Sequence, residues 1–186
     1  GKRLAMRRTF LVAVSFFVCL AFVATVSYVI EASEETGCDS TCIQMRQIFG
    51  QKNVVRVIAL GKDLNNGSGA VLKEGILTNN HVIEGALKIY VEFYGVRGYH
   101  EVTIIGRDPA ADLALLTAPI LPEGITPITI GDALQVGDRV YTMGYPLGVR
   151  SVTVGNVNAT ESRSWLYAIT QAPLAPGNSG GPLLNG

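Results

Sequence analysis

The chain has 186 residues, 48% of them apolar, with 21 glycines and 15 basic residues against 15 acidic ones. That is enough for one domain with a core of its own, and the sparse, balanced charge excludes a disordered chain or a nucleic-acid-binding surface. The charge is unevenly spread: Lys2, Arg3, Arg7 and Arg8 fall in the first eight residues, and every acid lies after residue 30.

Behind the basic flank (1–9) comes an apolar run, Phe10 to Ile30, of 21 residues without charge, Pro or Gly. As a helix it reaches ~31 Å, the length that crosses a bilayer. A membrane anchor is therefore expected over 10–30, its basic flank cytoplasmic and the remainder exported. The rival is a signal peptide cleaved before Ser33, leaving a secreted domain, but the apolar cores of signal peptides usually run only about 7–15 residues.

Residues 31–52 read as a juxtamembrane linker followed by a short helix, "TCIQMRQIFG", with Gly50 ending it. Cys38 and Cys42 are a candidate disulfide, permitted by the exported location. A regular helix suits that spacing poorly, so the pairing requires a turn. Cys19 belongs to the apolar run.

From Asn53 the pattern becomes short β-branched runs between Gly, Pro and Asn: "NVVRVIAL", "GSGAVL", "GILTNN", "LKIYVEF", "HEVTIIGR" and "DLALLTA". After a Pro-rich break, "PILPEGITPI" (119–128), come "DRVYTMGY", "SVTVGNVNAT" and "WLYAITQ". Such spacing, with no long helical pattern, predicts an all-β domain of antiparallel barrels. The first barrel is expected over 53–118 and the second over 129–186, joined by 119–128.

Acyl transfer by a serine needs a hydroxyl on a tight backbone, an imidazole to take its proton and a carboxylate to orient that imidazole. Ser179 sits in "PGNSGGP", where Gly177, Gly180 and Gly181 leave the backbone bare. A bare turn can aim two N–H groups inward, so Gly177 and Ser179 are the expected oxyanion donors. Of the two histidines, His81 in "LTNNHVIEGA" is placed at a strand end, whereas His100 merely begins a strand. Asp112 in "RDPAADLALLTA" leads into an apolar run and needs a donor such as an imidazole N–H; Asp108, before Pro109, suits a turn instead.

Together "GSGAVL…GILTNNHVIEGA", "DPAADLALL", "GDALQVGDRVYTMGYPLG" and "APGNSGGPLLN" resemble the HtrA/Deg group of trypsin-like serine proteases over about residues 53–186. The order His, Asp, Ser separates it from subtilisin-like and α/β-hydrolase arrangements. The resemblance implies a chymotrypsin-like fold of two six-stranded antiparallel Greek-key barrels, with His81 and Asp112 on the first and Ser179 on the second. It also implies an endopeptidase that cleaves unfolded or damaged exported polypeptides on the periplasmic side, and assembly as a homotrimer. Similar domains continue beyond "GGPLLN" with strands that close the second barrel and line one wall of the specificity pocket. An incomplete second barrel is therefore expected here, and with it an inactive fragment.

Where similar proteins have "TDAAINPGNSGG" this chain has "TQAPLAPGNSGG", so Pro173, Leu174 and Ala175 are expected to shape the specificity pocket. Nothing there is charged, and cleavage after small or medium apolar residues is expected. The short "TESRSW" loop implies weak allosteric control. No cofactor or metal is expected, because two histidines and no paired cysteine motif supply too few ligands, and no P-loop is present. The non-enzymatic alternative is a membrane-anchored peptide-binding module with an incompetent site.

Overall fold

The structure, a computed structural model, describes residues 38–162, 166–170 and 172–185. The expected membrane anchor at 10–30 lies outside the described residues. Among those described, no helix is long and apolar enough to cross a membrane.

Helix α1 (Ser40–Gly50) begins where Asp39 caps it, accepting the Cys42 N–H at 2.8 Å. Cys38 and Cys42 are bonded, their Cα atoms 5.3 Å apart. Cys38 lies before the cap, so the bridge spans the helix entry, and this is the turn that the spacing demanded.

Seven strands follow. They are β1 (Val54–Leu60), β2 (Leu64–Val71), β3 (Ile76–Asn79), β4 (Lys88–Phe93), β5 (His100–Val102), β6 (Ile104–Asp108) and β7 (Leu113–Leu116). A four-residue helix, α2 (Asn80–Ile83), follows β3 directly. All pairings are antiparallel, in the order β5-β4-β1-β2-β3-β7-β6, and β4-β1-β2-β3 is the Greek-key order. The two edge strands, β5 and β6, are consecutive in the chain with only Thr103 between them. Edges one residue apart require a sheet rolled into a barrel, and Thr103 exchanges hydrogen bonds with Thr117 there at 2.8 and 2.9 Å. Counting β5–β6 as one bent strand gives six.

The barrel core follows from strand alternation. Val55, Val57 and Ala59 of β1 face inward with Val71, Ile76, Ile89, Val91, Phe93 and Leu116. Each valine, isoleucine, leucine or phenylalanine among them contributes about 1.5–3 kcal/mol on leaving water. The Pro-rich link is not a free spacer. Ile125 is buried in this core, and the Ile128 N–H donates to the Val71 carbonyl at 2.9 Å.

The remaining strands are β8 (Arg139–Gly144), β9 (Ser151–Ser162), β10 (Leu166–Thr170) and β11 (Leu183–Asn185), with a single 3-10 turn at Pro146–Gly148. They form an antiparallel sheet ordered β10-β9-β8-β11. As described, this is an open sheet and not a closed barrel. The fold is thus mostly β, with one closed and one open sheet. The short helix α2 replaces the last residue of the expected "GILTNN" strand.

A second core cluster joins α1 to the open sheet: Ile48, Val54, Tyr141, Met143 and Tyr145. Arg150 rivets the same junction. Its guanidinium lies over the Tyr94 ring at 3.9 Å and the Phe49 ring at 4.8 Å, and it donates to the Phe49 and Gln51 carbonyls.

Candidate functional site

The His81–Asp112 pair follows from strand register. In the β3–β7 ladder Asn79 is opposite Leu113, so one step past the ladder Asn80 is brought to Asp112. The Asn80 N–H and the Asn79 side-chain amide both donate to the Asp112 carbonyl, at 3.1 and 2.8 Å. Asp112 has φ +54, a left-handed conformation that costs a non-glycine residue about 1–2 kcal/mol and that these bonds hold in place. The result is a double grip. One carboxylate oxygen accepts the His81 backbone N–H at 2.8 Å, and the other meets the His81 Nδ1 at 2.7 Å.

Desolvation pushes the Asp112 carboxyl up. The hydrogen bonds from the His81 backbone and ring, with the charge of His81, outweigh it and hold the group below its ordinary value. Both side chains remain about half exposed, 54% for His81 and 44% for Asp112, which leaves the imidazole reachable by a substrate. Asp108 spends one carboxylate oxygen on the Ala110 and Ala111 N–H groups, each at 3.1 Å, as a turn former. His100 sits edge-on to Phe93 in the strand, its ring 5.3 Å away, apart from this pair.

Ser179 lies in the second of two consecutive turns. The Asn178 N–H donates to the Ala175 carbonyl at 3.0 Å, and the Gly181 N–H to the Asn178 carbonyl at 2.8 Å. Gly177 (φ +102) and Gly180 (φ +82) take left-handed conformations that other residues resist. Close approach also demands glycine: a Cβ on Gly177 would meet the Tyr145 carbonyl oxygen at 2.5 Å. One on Gly180 would meet the Ser68 carbonyl oxygen at 2.2 Å and the Asn79 nitrogen at 3.0 Å. Gly180 therefore packs against the end of β3, two residues before His81.

The Pro176 carbonyl accepts the Leu147 N–H at 3.0 Å. Because the peptide is planar and trans, its other end, the Gly177 N–H, points the opposite way. Among the described residues neither the Gly177 nor the Ser179 N–H is committed to a protein acceptor, so both can donate to a bound oxygen.

Beside Ser179 lies a cleft of about 560 Å³, lined by Thr142, Met143, Thr170, Leu174 and Ala175 among others and, among the described residues, by no charged side chain. Leu174 and Ala175 line it. Pro173 does not, and its carbonyl instead accepts the Thr153 hydroxyl at 2.8 Å. Among the described residues no group of His, Cys, Asp and Glu could hold a metal ion.

Sequence reasoning missed the polar supports of this site: Ser68, Thr78, Asn79 and Asn80. The visible signals are Ser68 between two glycines and the polar run Thr78, Asn79 and Asn80 directly before His81.

A family model described as the trypsin-like peptidase domain matches residues 67–186. A probable periplasmic serine endoprotease, DegP-like, from Chlamydia trachomatis is 38% identical over 136 residues, which cover 67% of this chain and 27% of that protein. The chain thus spans about a quarter of the length of that curated relative. A solved serine endoprotease from Yersinia pestis superposes with a TM-score of 0.66 at 33% identity, covering 76% of this chain and 53% of the other. The HtrA-type protease AlgW, solved with a tripeptide, gives 0.65 at 31% identity, covering 72% of this chain and 47% of that one.

Proposed function

This chain belongs to the trypsin-like peptidases and within them to the HtrA-type serine proteases, and we propose that it is a serine endopeptidase in which Ser179, His81 and Asp112 form the catalytic triad. The observation that carries this reading is the double grip of Asp112 on His81, two residues beyond the backbone against which Gly180 packs. Asp112 fixes the ring with its Nδ1 protonated, so the far nitrogen is the base. That nitrogen takes the Ser179 hydroxyl proton as Oγ attacks the scissile carbonyl. The Gly177 and Ser179 N–H groups receive the resulting oxyanion, each worth roughly 3–4 kcal/mol in the transition state. His81 then protonates the leaving amine, and water resolves the acyl-enzyme by the same steps in reverse.

The uncharged cleft supports cleavage after small or medium apolar residues, with Leu174 and Ala175 in the pocket wall. We place the domain outside the cytoplasm, on the side named for its periplasmic relatives, behind the basic flank and apolar run of residues 1–30. Its substrates there are exported polypeptides, unfolded or damaged, taken as extended strands. A homotrimer is the assembly the resemblance favours.

A fluorophosphonate probe tests the reading. The full chain should be labelled, and Ser179→Ala should abolish labelling. Labelling should also fall on acidification, as a general base must be unprotonated to act. An unlabelled wild-type protein would sink the enzyme and leave the peptide-binding module.

A further inference from the structure

Ser68 is fully buried in β2, and no step of the mechanism uses it. All of its polar capacity is nevertheless engaged. Its N–H donates to the Ser179 carbonyl at 2.7 Å. Its Oγ lies 2.7 Å from the Gly177 carbonyl oxygen and 2.9 Å from the Tyr145 nitrogen, while its own carbonyl accepts the Thr78 hydroxyl at 2.7 Å. The partners dictate the proton's place. A carbonyl oxygen has none to give, so the Ser68 hydroxyl donates to Gly177 and accepts from Tyr145.

These bonds tie together the parts that must meet. Ser68 is fixed to the β3 end, which leads into His81, through Thr78. It is fixed to the turn of the second sheet through the carbonyls of Gly177 and Ser179, which bracket Asn178. Gly177, at φ +102 and without a side chain, is the joint at which that turn would otherwise rotate. The two expected oxyanion donors lie on the peptides interleaved with the two that Ser68 grips. On the reading of Ser179 as nucleophile, we propose that Ser68 is a positioning residue: it sets the oxyanion turn and the nucleophile against His81 by holding both carbonyls from the first barrel.

The geometry makes a specific demand. Misplacing a donor by a fraction of an ångström weakens the transition state far more than the bound substrate. Ser68→Ala keeps the backbone grip and removes the hydroxyl. It should react with a fluorophosphonate about 10²-fold more slowly. It should bind an apolar peptide boronate, which forms a tetrahedral adduct, correspondingly more weakly. It should bind the same peptide as its free carboxylate with unchanged affinity. Ser68→Cys, which retains a weak donor, should recover part of the loss and carries the test if the alanine variant fails to fold. Val91→Ala, in the barrel core away from the cleft, supplies the comparison for lost stability alone.

The inference is overturned if Ser68→Ala and Ser68→Cys label at the wild-type rate, or slow no more than Val91→Ala does. It is overturned equally if boronate and free peptide weaken together. Wild-type labelling at Ser179 that persists unchanged in the Ser68 variants sinks this inference alone. Absence of wild-type labelling sinks the functional reading first.

Discussion

His81 and Asp112 are brought together inside one closed sheet, by the register of two adjacent strands. Ser179 is held differently. Its turn belongs to the open sheet, but its backbone is fixed from outside by Ser68 of the barrel. The proposed base and its orienting carboxylate are thus a property of one barrel. The proposed nucleophile's placement is a property of the contact between two sheets. A local pair survives small shifts of the fold around it, because both partners move together. A site assembled across a contact loses its geometry whenever that contact slips.

The comparison can be broken most severely at the local pair. Asp112→Asn keeps the shape but favours the wrong imidazole tautomer, and kcat is expected to fall about 10⁴-fold. The same variant sharpens the electrostatics. The folded-state value of Asp112 is lowered from 3.8, so its contribution to stability is present above that value and is lost as pH falls through the folded one. Urea midpoints measured from about pH 5 downward should therefore decline less steeply in Asp112→Asn than in wild type. Equal slopes would remove the pair from the acid-stability account.

Next comes the contact between sheets. Gly180→Ala places a Cβ 2.2 Å from the Ser68 carbonyl oxygen at a left-handed residue, so about 3 kcal/mol of stability and most labelling should be lost. Gly85→Ala is the matched control. It is also left-handed, at φ +69, but a Cβ there meets nothing within 4 Å, and it should cost only about 1 kcal/mol with labelling intact. Similar losses in both would show that backbone strain alone, and not the docking of the turn, accounts for Gly180.

The smallest effect is expected farthest from the site. Cys42→Ser opens the bridge at the start of α1, and the loop it closes is so short that loop entropy predicts about 2 kcal/mol at most. Thermal unfolding should register this while the fluorophosphonate rate does not change. A fall in that rate would mean that α1, packed on β8 through Ile48 and Tyr141, transmits to the serine turn.

The residues of the proposed site stood out where they are rare types in rare settings. Two histidines leave little choice of base, and a serine among glycines in "PGNSGGP" declares a strained turn, which Gly177 and Gly180 at positive φ adopt. Short β-branched runs between Gly, Pro and Asn located most of the strands from β1 to β10, but missed the first three residues of β2 and joined β5 and β6 into one run. They also missed α2, since "NHVI" is too short for a helical period to register, and β11, where "LLN" is too short to show alternation.

Other features depend on residues that share no local pattern. The closure of the first sheet is visible only once β5 and β6 prove to be opposite edges, a fact of pairing and not of sequence. The buried grip of Ser68 on the Gly177 carbonyl joins residues 109 apart, and Arg150 reaches back about as far to the end of α1. Sequence by itself determined which groups this protein has for the proposed acyl transfer and in what order. Tertiary structure alone decided how they are held, because a hydrogen bond between distant strands depends on where two backbones meet, and residue type records only that a donor is present.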